Sequence, residues 1–193
     1  MRNLKNQVRS IGKLNTRNDN NETDEMKIEG YFVVFNSETE LFENCYEEIS
    51  DKAFRDIDLT DIRALADHDT AKVLGRTKSQ TLKLSVDEKG LYGEITINKN
   101  DSEAVNLYER VKRGDIDQCS FGFNILNETM EQRADGTTKW TITEIELFEV
   151  SVVTFPAYSD TAVEARSAQI KQLEKRNLQT RKQQLKERIQ KWH

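Results

Sequence analysis

Residues 138–155 read TKWTITEIELFEVSVVTF, the longest run of β-branched and aromatic side chains in the sequence. Such residues fit a pleated, partly buried surface, and Pro156, the single proline of the chain, closes the run, so one long strand is expected here. Simple alternation puts Ile145, Leu147, Glu149, Ser151 and Val153 on one side of it, which sets a carboxylate among aliphatic neighbours. A carboxylate in that place needs a hydrogen-bonded or charged partner.

Working upstream, shorter runs of the same kind succeed one another: IEGYFVVF at 28–35, ELFENCYEEI at 40–49, TLKLSV at 81–86, GLYGEITI at 90–97 and QCSFGFNIL at 118–126. Turn formers separate them, at Asn36-Ser37, Asp87-Glu88-Lys89-Gly90 and Ala134-Asp135-Gly136. Two helices interrupt the strands. A short one is expected near Asp51–Ile57. A longer one, Ser102–Arg113, has Asp101 or Ser102 as its cap, Glu103 in the first turn, basic residues at its end and Gly114 as terminator. The body therefore reads as mainly β with helices, an α+β domain.

The flanks differ from this body. Residues 1–27, with NTRNDNNETDE, hold few apolar side chains and no period, and are expected to form a flexible arm. Residues 163–193 contain no glycine or proline and are rich in Lys, Arg, Gln, Glu and Leu, so a helical tail is expected, with Leu178, Leu185, Ile189 and Trp192 on a narrow stripe suited to a partner. The domain proper then spans 28–162. Residues 1–27 carry six basic and four acidic side chains, 28–163 carry 14 and 27, and 164–193 carry nine and three. An acidic body of net charge −13 is poorly suited to phosphate contacts, so no direct nucleic-acid role is expected. No apolar run approaches the roughly 20 residues that span a bilayer, and the first residues lack the apolar core of a signal peptide. The expectation is a soluble, non-exported protein with no membrane partner. Two cysteines, Cys45 and Cys119, lack ligand spacing, and two histidines, His68 and His193, cannot build a histidine metal site, so neither metal nor cofactor is expected.

Three residues stand out chemically. In QCSFGFNIL, alternation turns Cys119, Phe121, Phe123 and Ile125 to a core and Gln118, Ser120, Gly122 and Asn124 to a polar face. Ser120 then sits on a half-exposed face beside a glycine that leaves room for an approaching peptide; it also reads as an ordinary surface serine. His68, in ALADHDT, is either a solvated loop residue or the one side chain inside the fold able to act as general base near neutral pH. Glu149 is either a core-edge ion-pair partner or the acid that orients a histidine. Cys119 as nucleophile is a rival that its core-facing position disfavours.

Taken together, IEGYFVVFN at 28–36, EEISDKAF at 47–54, IRALADHDTAKVLGRT at 62–77, the block at 81–97, GDIDQCSFGF at 114–123 and LFEVSVVTFPAYSDT at 147–161 resemble the prohead (head maturation) proteases of tailed bacteriophages, which are related to the herpesvirus protease assemblin. The resemblance covers about 70% of the chain, in order. It implies a herpesvirus-protease-like β-barrel surrounded by helices, with His68 as catalytic base and Ser120 as nucleophile. Where the family commonly has asparagine before the histidine, this chain has Asp67. Assemblin uses a second histidine; here an acid must serve, with Glu149 the candidate. Gly122 and Arg76 are candidates for the substrate or oxyanion side. The implied reaction is peptide hydrolysis through an acyl-enzyme. The implied partners are the major capsid protein with its scaffolding segment and the protease itself, as a homo-oligomer and by self-cleavage. The implied location is the immature procapsid in the host bacterial cytoplasm. The alternative is a catalytically silent scaffold or interaction module that keeps the fold.

Overall fold

The two longest strands, β9 (Gln118–Gln132) and β10 (Thr138–Val153), lie antiparallel and form the spine of a ten-stranded sheet. The computed structural model describes residues 4–18, 25–155, 167, 169–172 and 175–184. β9 runs along one edge of β10. Along the other edge, β4 (Cys45–Ile49) pairs in parallel with Thr138–Ile142, and β5 (Arg63–Ala66) pairs in parallel with Glu149–Val152. β3 (Thr39–Phe42) flanks β4, while β2 (Met26–Val34), β8 (Gly90–Thr96) and β7 (Leu82–Val86) extend the sheet beyond β9.

The strand between β9 and β2 is a correction to the sequence reading. Residues 4–18, expected to be a flexible arm, form β1 (Leu4–Asn18), which pairs with β9 through its first half and β2 through its second. Its backbone satisfies ladders on both sides, so it needs few apolar side chains to be held. It also carries an unusual core group: Arg9, 2% exposed, places Nε 2.5 Å and Nη2 3.0 Å from the two carboxylate oxygens of Glu47, itself 3% exposed. A buried charge is tolerated only when paired in this way, and the bidentate fork supplies both bonds. Composition alone could not reveal the pairing, because the partners are 38 residues apart.

The hydrogen-bonded path runs β3-β4-β10-β9-β1-β2-β8-β7, with β5 and β6 (Asp69–Arg76) branching from β10. The closed barrel expected from the resemblance is not formed by these ladders: β3 and β7 end the path on different elements, and the β5–β6 hairpin occupies the edge of β10 without bridging to either. The core lies on one face, where Phe32, Leu91, Ile95, Phe121, Phe123, Ile142 and Val150 are buried, with Phe121 and Phe123 stacked 4.7 Å apart. Removing each such side chain from water contributes on the order of 1.5–3 kcal/mol.

Helix α1 (Ser102–Arg113) matches its expected bounds. The Asp101 side chain accepts from the backbone of Glu103 and Ala104, and Gly114, at φ +86°, closes the helix in the left-handed region. Ala104, Leu107, Tyr108 and Val111 form its buried stripe. The expected short helix is a single 3₁₀ turn, Asp51–Phe54, capped by Ser50. Two compact units divide the chain, Met1–Tyr158 and Ser159–His193. In the second, residues 167, 169–172 and 175–184 are helical, and 175–184 are exposed; a single helix through all of 163–193 is a reading that falls partly outside the described residues. Among the described residues no helix is long and apolar enough to cross a membrane.

Candidate active site

His68 sits at the tip of the β5–β6 hairpin, where Ala66 pairs with Asp69 across a two-residue turn. Asp67 and His68 have φ of +50° and +59°, the signs a type I′ turn demands at both central positions. Aspartate and histidine are both enriched there among non-glycine residues, but the conformation still costs about 1–3 kcal/mol, and surrounding bonds must hold it. They do. Asp67 N–H donates to Val152 O at 2.9 Å, and the Asp67 carboxylate accepts from Thr154 N–H at 2.7 Å and Thr154 Oγ1 at 3.1 Å. Asp67 thus clamps the hairpin to the end of β10.

The ring is fixed in turn by Glu149. His68 Nδ1 lies 2.7 Å from Glu149 Oε1. With a carboxylate as acceptor Nδ1 donates, and in the neutral imidazole Nε2 then carries the lone pair; Nε2 is buried and has no hydrogen-bond partner among the described residues.

A bulge decides where Glu149 points. In the β9–β10 ladder Leu147 faces Phe123, yet Glu149 faces Gly122, so Phe148 is an extra residue in β10. Leu147 consequently lies on the core face with Phe123, whereas Glu149 and Ser151 lie on the opposite face with Gly122 and Ser120. The alternation read from sequence, which grouped Glu149 with Ile145 and Leu147, is corrected here: unbroken period-two counting fails across an inserted residue.

Ser120 is directly opposite Ser151. It was expected on a half-exposed face, but Ser120 and Ser151 are both 0% exposed. The face can be buried because its polar atoms are satisfied. Ser120 Oγ donates to Arg9 O at 2.8 Å, and Ser151 Oγ donates to Glu149 Oε2 at 2.6 Å. Arg9 O is available because β1 sets two residues, Ser10 and Ile11, between the Arg9–Phe121 and Gly12–Cys119 pairs, where β9 has Ser120 alone. Glu149 lies against Gly122, one strand step of about 7 Å from Ser120, and the ring of His68 meets this face through Glu149.

At Gly122, a candidate for the substrate or oxyanion side, the structure shows close packing against Glu149. A Cβ built there overlaps Glu149 Oε1 and lies 2.7 Å from Phe148 Cε2 and 3.0 Å from Glu149 Cδ. The room it leaves is occupied by the carboxylate and not by an approaching peptide. Gly122→Ala is expected to push Glu149 off His68 while the protein stays folded, with a destabilisation of about 1–3 kcal/mol. The His68 ring N–H resonance alongside thermal melting checks both.

Arg76 is not brought to this group. Its guanidinium grips Asp61, Nε to Oδ1 at 2.5 Å and Nη2 to Oδ2 at 2.7 Å, an ion pair that holds the Asp61 carboxyl below its ordinary range. Cys119 is turned to the core, as read from alternation. Burial pushes its thiol up to about 12, and it contacts Tyr31 O, so a thiolate nucleophile is disfavoured. Among the described residues no group of three or more His, Cys, Asp and Glu is placed to hold a metal ion. Sequence reasoning assigned no role to Ser151 or Thr154. The signal for Ser151 was its spacing two residues after Glu149, which puts both on one face; the Phe148 bulge decides that this is the face of Ser120.

No curated protein matches the chain. Among solved structures it is similar to the bacteriophage T4 capsid assembly protease, gp21, at 13% identity and a TM-score of 0.49, over 79% of this chain and 98% of that one. A sequence profile of the caudovirus prohead serine protease family matches residues 12–176, a span that holds the His68 hairpin and both strands bearing Ser120 and Glu149; the chain belongs to the caudovirus prohead serine protease family.

Proposed function

We propose that Ser120, His68 and Glu149 are the catalytic group of this prohead protease: nucleophile, general base and then acid, and orienting carboxylate. The observation that carries the reading is the 2.7 Å contact between His68 Nδ1 and Glu149 Oε1, which leaves the buried Nε2 unpartnered. In the resting arrangement the Ser120 proton is given to Arg9 O. On substrate binding the hydroxyl turns from that carbonyl to Nε2, which takes the proton as Oγ attacks the scissile carbonyl carbon. The imidazolium, steadied by Glu149, then protonates the leaving amine, and water repeats the sequence to release the acyl group. Loose serine–histidine geometry is common before substrate binds.

In this reading the catalytic unit is 28–162 together with β1, and the segment 163–193 docks on the assembly partner. The substrates are the scaffolding segment of the major capsid protein and the chain itself, encountered inside the procapsid in the host bacterial cytoplasm, where the chain acts as a homo-oligomer. High local concentration there makes weak sequence selectivity sufficient.

Glu149→Gln tests the acid. Co-expressed with the major capsid protein, this variant is expected to cleave about 10²–10⁴-fold more slowly than the parent, a smaller loss than removal of Ser120 or His68. Gel analysis of capsid-protein processing reads the rates. Full activity in a folded Glu149→Gln protein would reduce the group to a dyad.

A further inference from the structure

We propose that Ser151 is a positioning residue, which fixes the Glu149 carboxylate in the orientation that His68 requires; the inference rests on the catalytic reading of Ser120, His68 and Glu149. Each carboxylate oxygen has one donor. Oε1 faces His68 Nδ1 at 2.7 Å, and Oε2 accepts from Ser151 Oγ at 2.6 Å. The terminal torsion of glutamate is broad and roughly two-fold, so a single hydrogen bond leaves the carboxylate plane free to swing. A second donor on the other oxygen removes that freedom.

The surroundings leave Ser151 suited to this task. It is 0% exposed, and Glu149 is 6% exposed, so bulk water is a poor substitute for the serine hydroxyl. Its neighbours across the ladders are Ser120 in β9 and Leu65 in β5, and neither supplies a donor to Oε2. The Phe148 bulge turns Glu149 to the face that Ser151 shares, and Gly122 leaves room there for the carboxylate. Ser151 is also set apart from the nucleophile by its own bond. Its single proton goes to the carboxylate, whereas Ser120 gives its proton to a backbone carbonyl.

The chain has two histidines, His68 and His193, so imidazole protons of the intact protein are readily assigned by NMR. A ring N–H held against a carboxylate gives a low-field resonance, and that of His68 Nδ1 reports the orientation of Glu149 directly. It is expected in the parent, in Ser120→Ala and in Ser151→Thr, and expected to be lost to exchange or moved upfield in Ser151→Ala. In parallel, Ser151→Ala is expected to lower kcat on the capsid protein by about 10- to 100-fold with KM nearly unchanged, and Ser151→Thr to restore it. An unchanged low-field proton in folded Ser151→Ala overturns the proposal. So does a Ser151→Ala protein as inactive as Ser120→Ala with that proton intact, since Ser151 would then act at the reacting atoms. Persistent cleavage by Ser120→Ala would overturn the nucleophile assignment alone, because the proton readout does not depend on which serine attacks.

Discussion

Ser120→Ala is expected to abolish cleavage of the capsid protein and of the protease itself, a loss of about 10⁶-fold where a residual rate can be followed. The hydroxyl is the proposed attacking atom, and Cys119, the neighbouring alternative, is turned to the other face with its thiol pushed up to about 12. The substitution also removes the donor to Arg9 O in a fully buried site. A small stability loss, about 1 kcal/mol, should therefore accompany the activity loss, lowering Tm by roughly 2–4 °C for a chain of this size. Gel analysis after co-expression and a thermal melt separate the two effects. Cleavage that survives in Ser120→Ala but stops in Cys119→Ala would sink the serine assignment.

Removal of the His68 ring should be as damaging. His68 occupies the left-handed region at the hairpin tip, so alanine there would combine loss of the base with added turn strain. His68→Asn avoids the confusion, since asparagine tolerates that conformation. It is expected to be as inactive as Ser120→Ala, and the double variant to be no worse than either, because members of a catalytic group lose their effect together. A double variant slower by a further 10²-fold or more would show that the two residues act independently. The Asp67 clamp on Thr154 does not involve the ring, so the hairpin should persist in His68→Asn, which circular dichroism and melting can check.

Features set by near neighbours in the chain were legible before any coordinates. The Ser102–Arg113 helix follows from a capping Asp101 or Ser102, Glu103 in the first turn, basic residues at its end and a terminating glycine, all local. The strand runs at 28–35, 81–86, 90–97 and 118–126 follow from β-branched and aromatic content between turn formers, and in the last of them alternation correctly turned Cys119, Phe121 and Phe123 to the core. Ser120, His68 and Glu149 entered as candidates through strand alternation and turn context joined to the resemblance, since among ten serines nothing local singles out Ser120.

The contact of His68 with Glu149, and the face that Glu149 shares with Ser120, were not legible. Glu149 reaches the face of Ser120 only because Phe148 is an extra residue relative to β9, and an insertion of that kind exists only between two strands. Ser120 is buried and bonded to a carbonyl 111 residues away, on a strand whose own sequence resembles a disordered arm. β1 is ordered because β9 and β2 complete its hydrogen bonds and Glu47 neutralises Arg9. Period and propensity report what each segment prefers alone. Register, bulges and buried charge pairs depend on which segment lies alongside, and at this site those were the terms that tertiary structure decided.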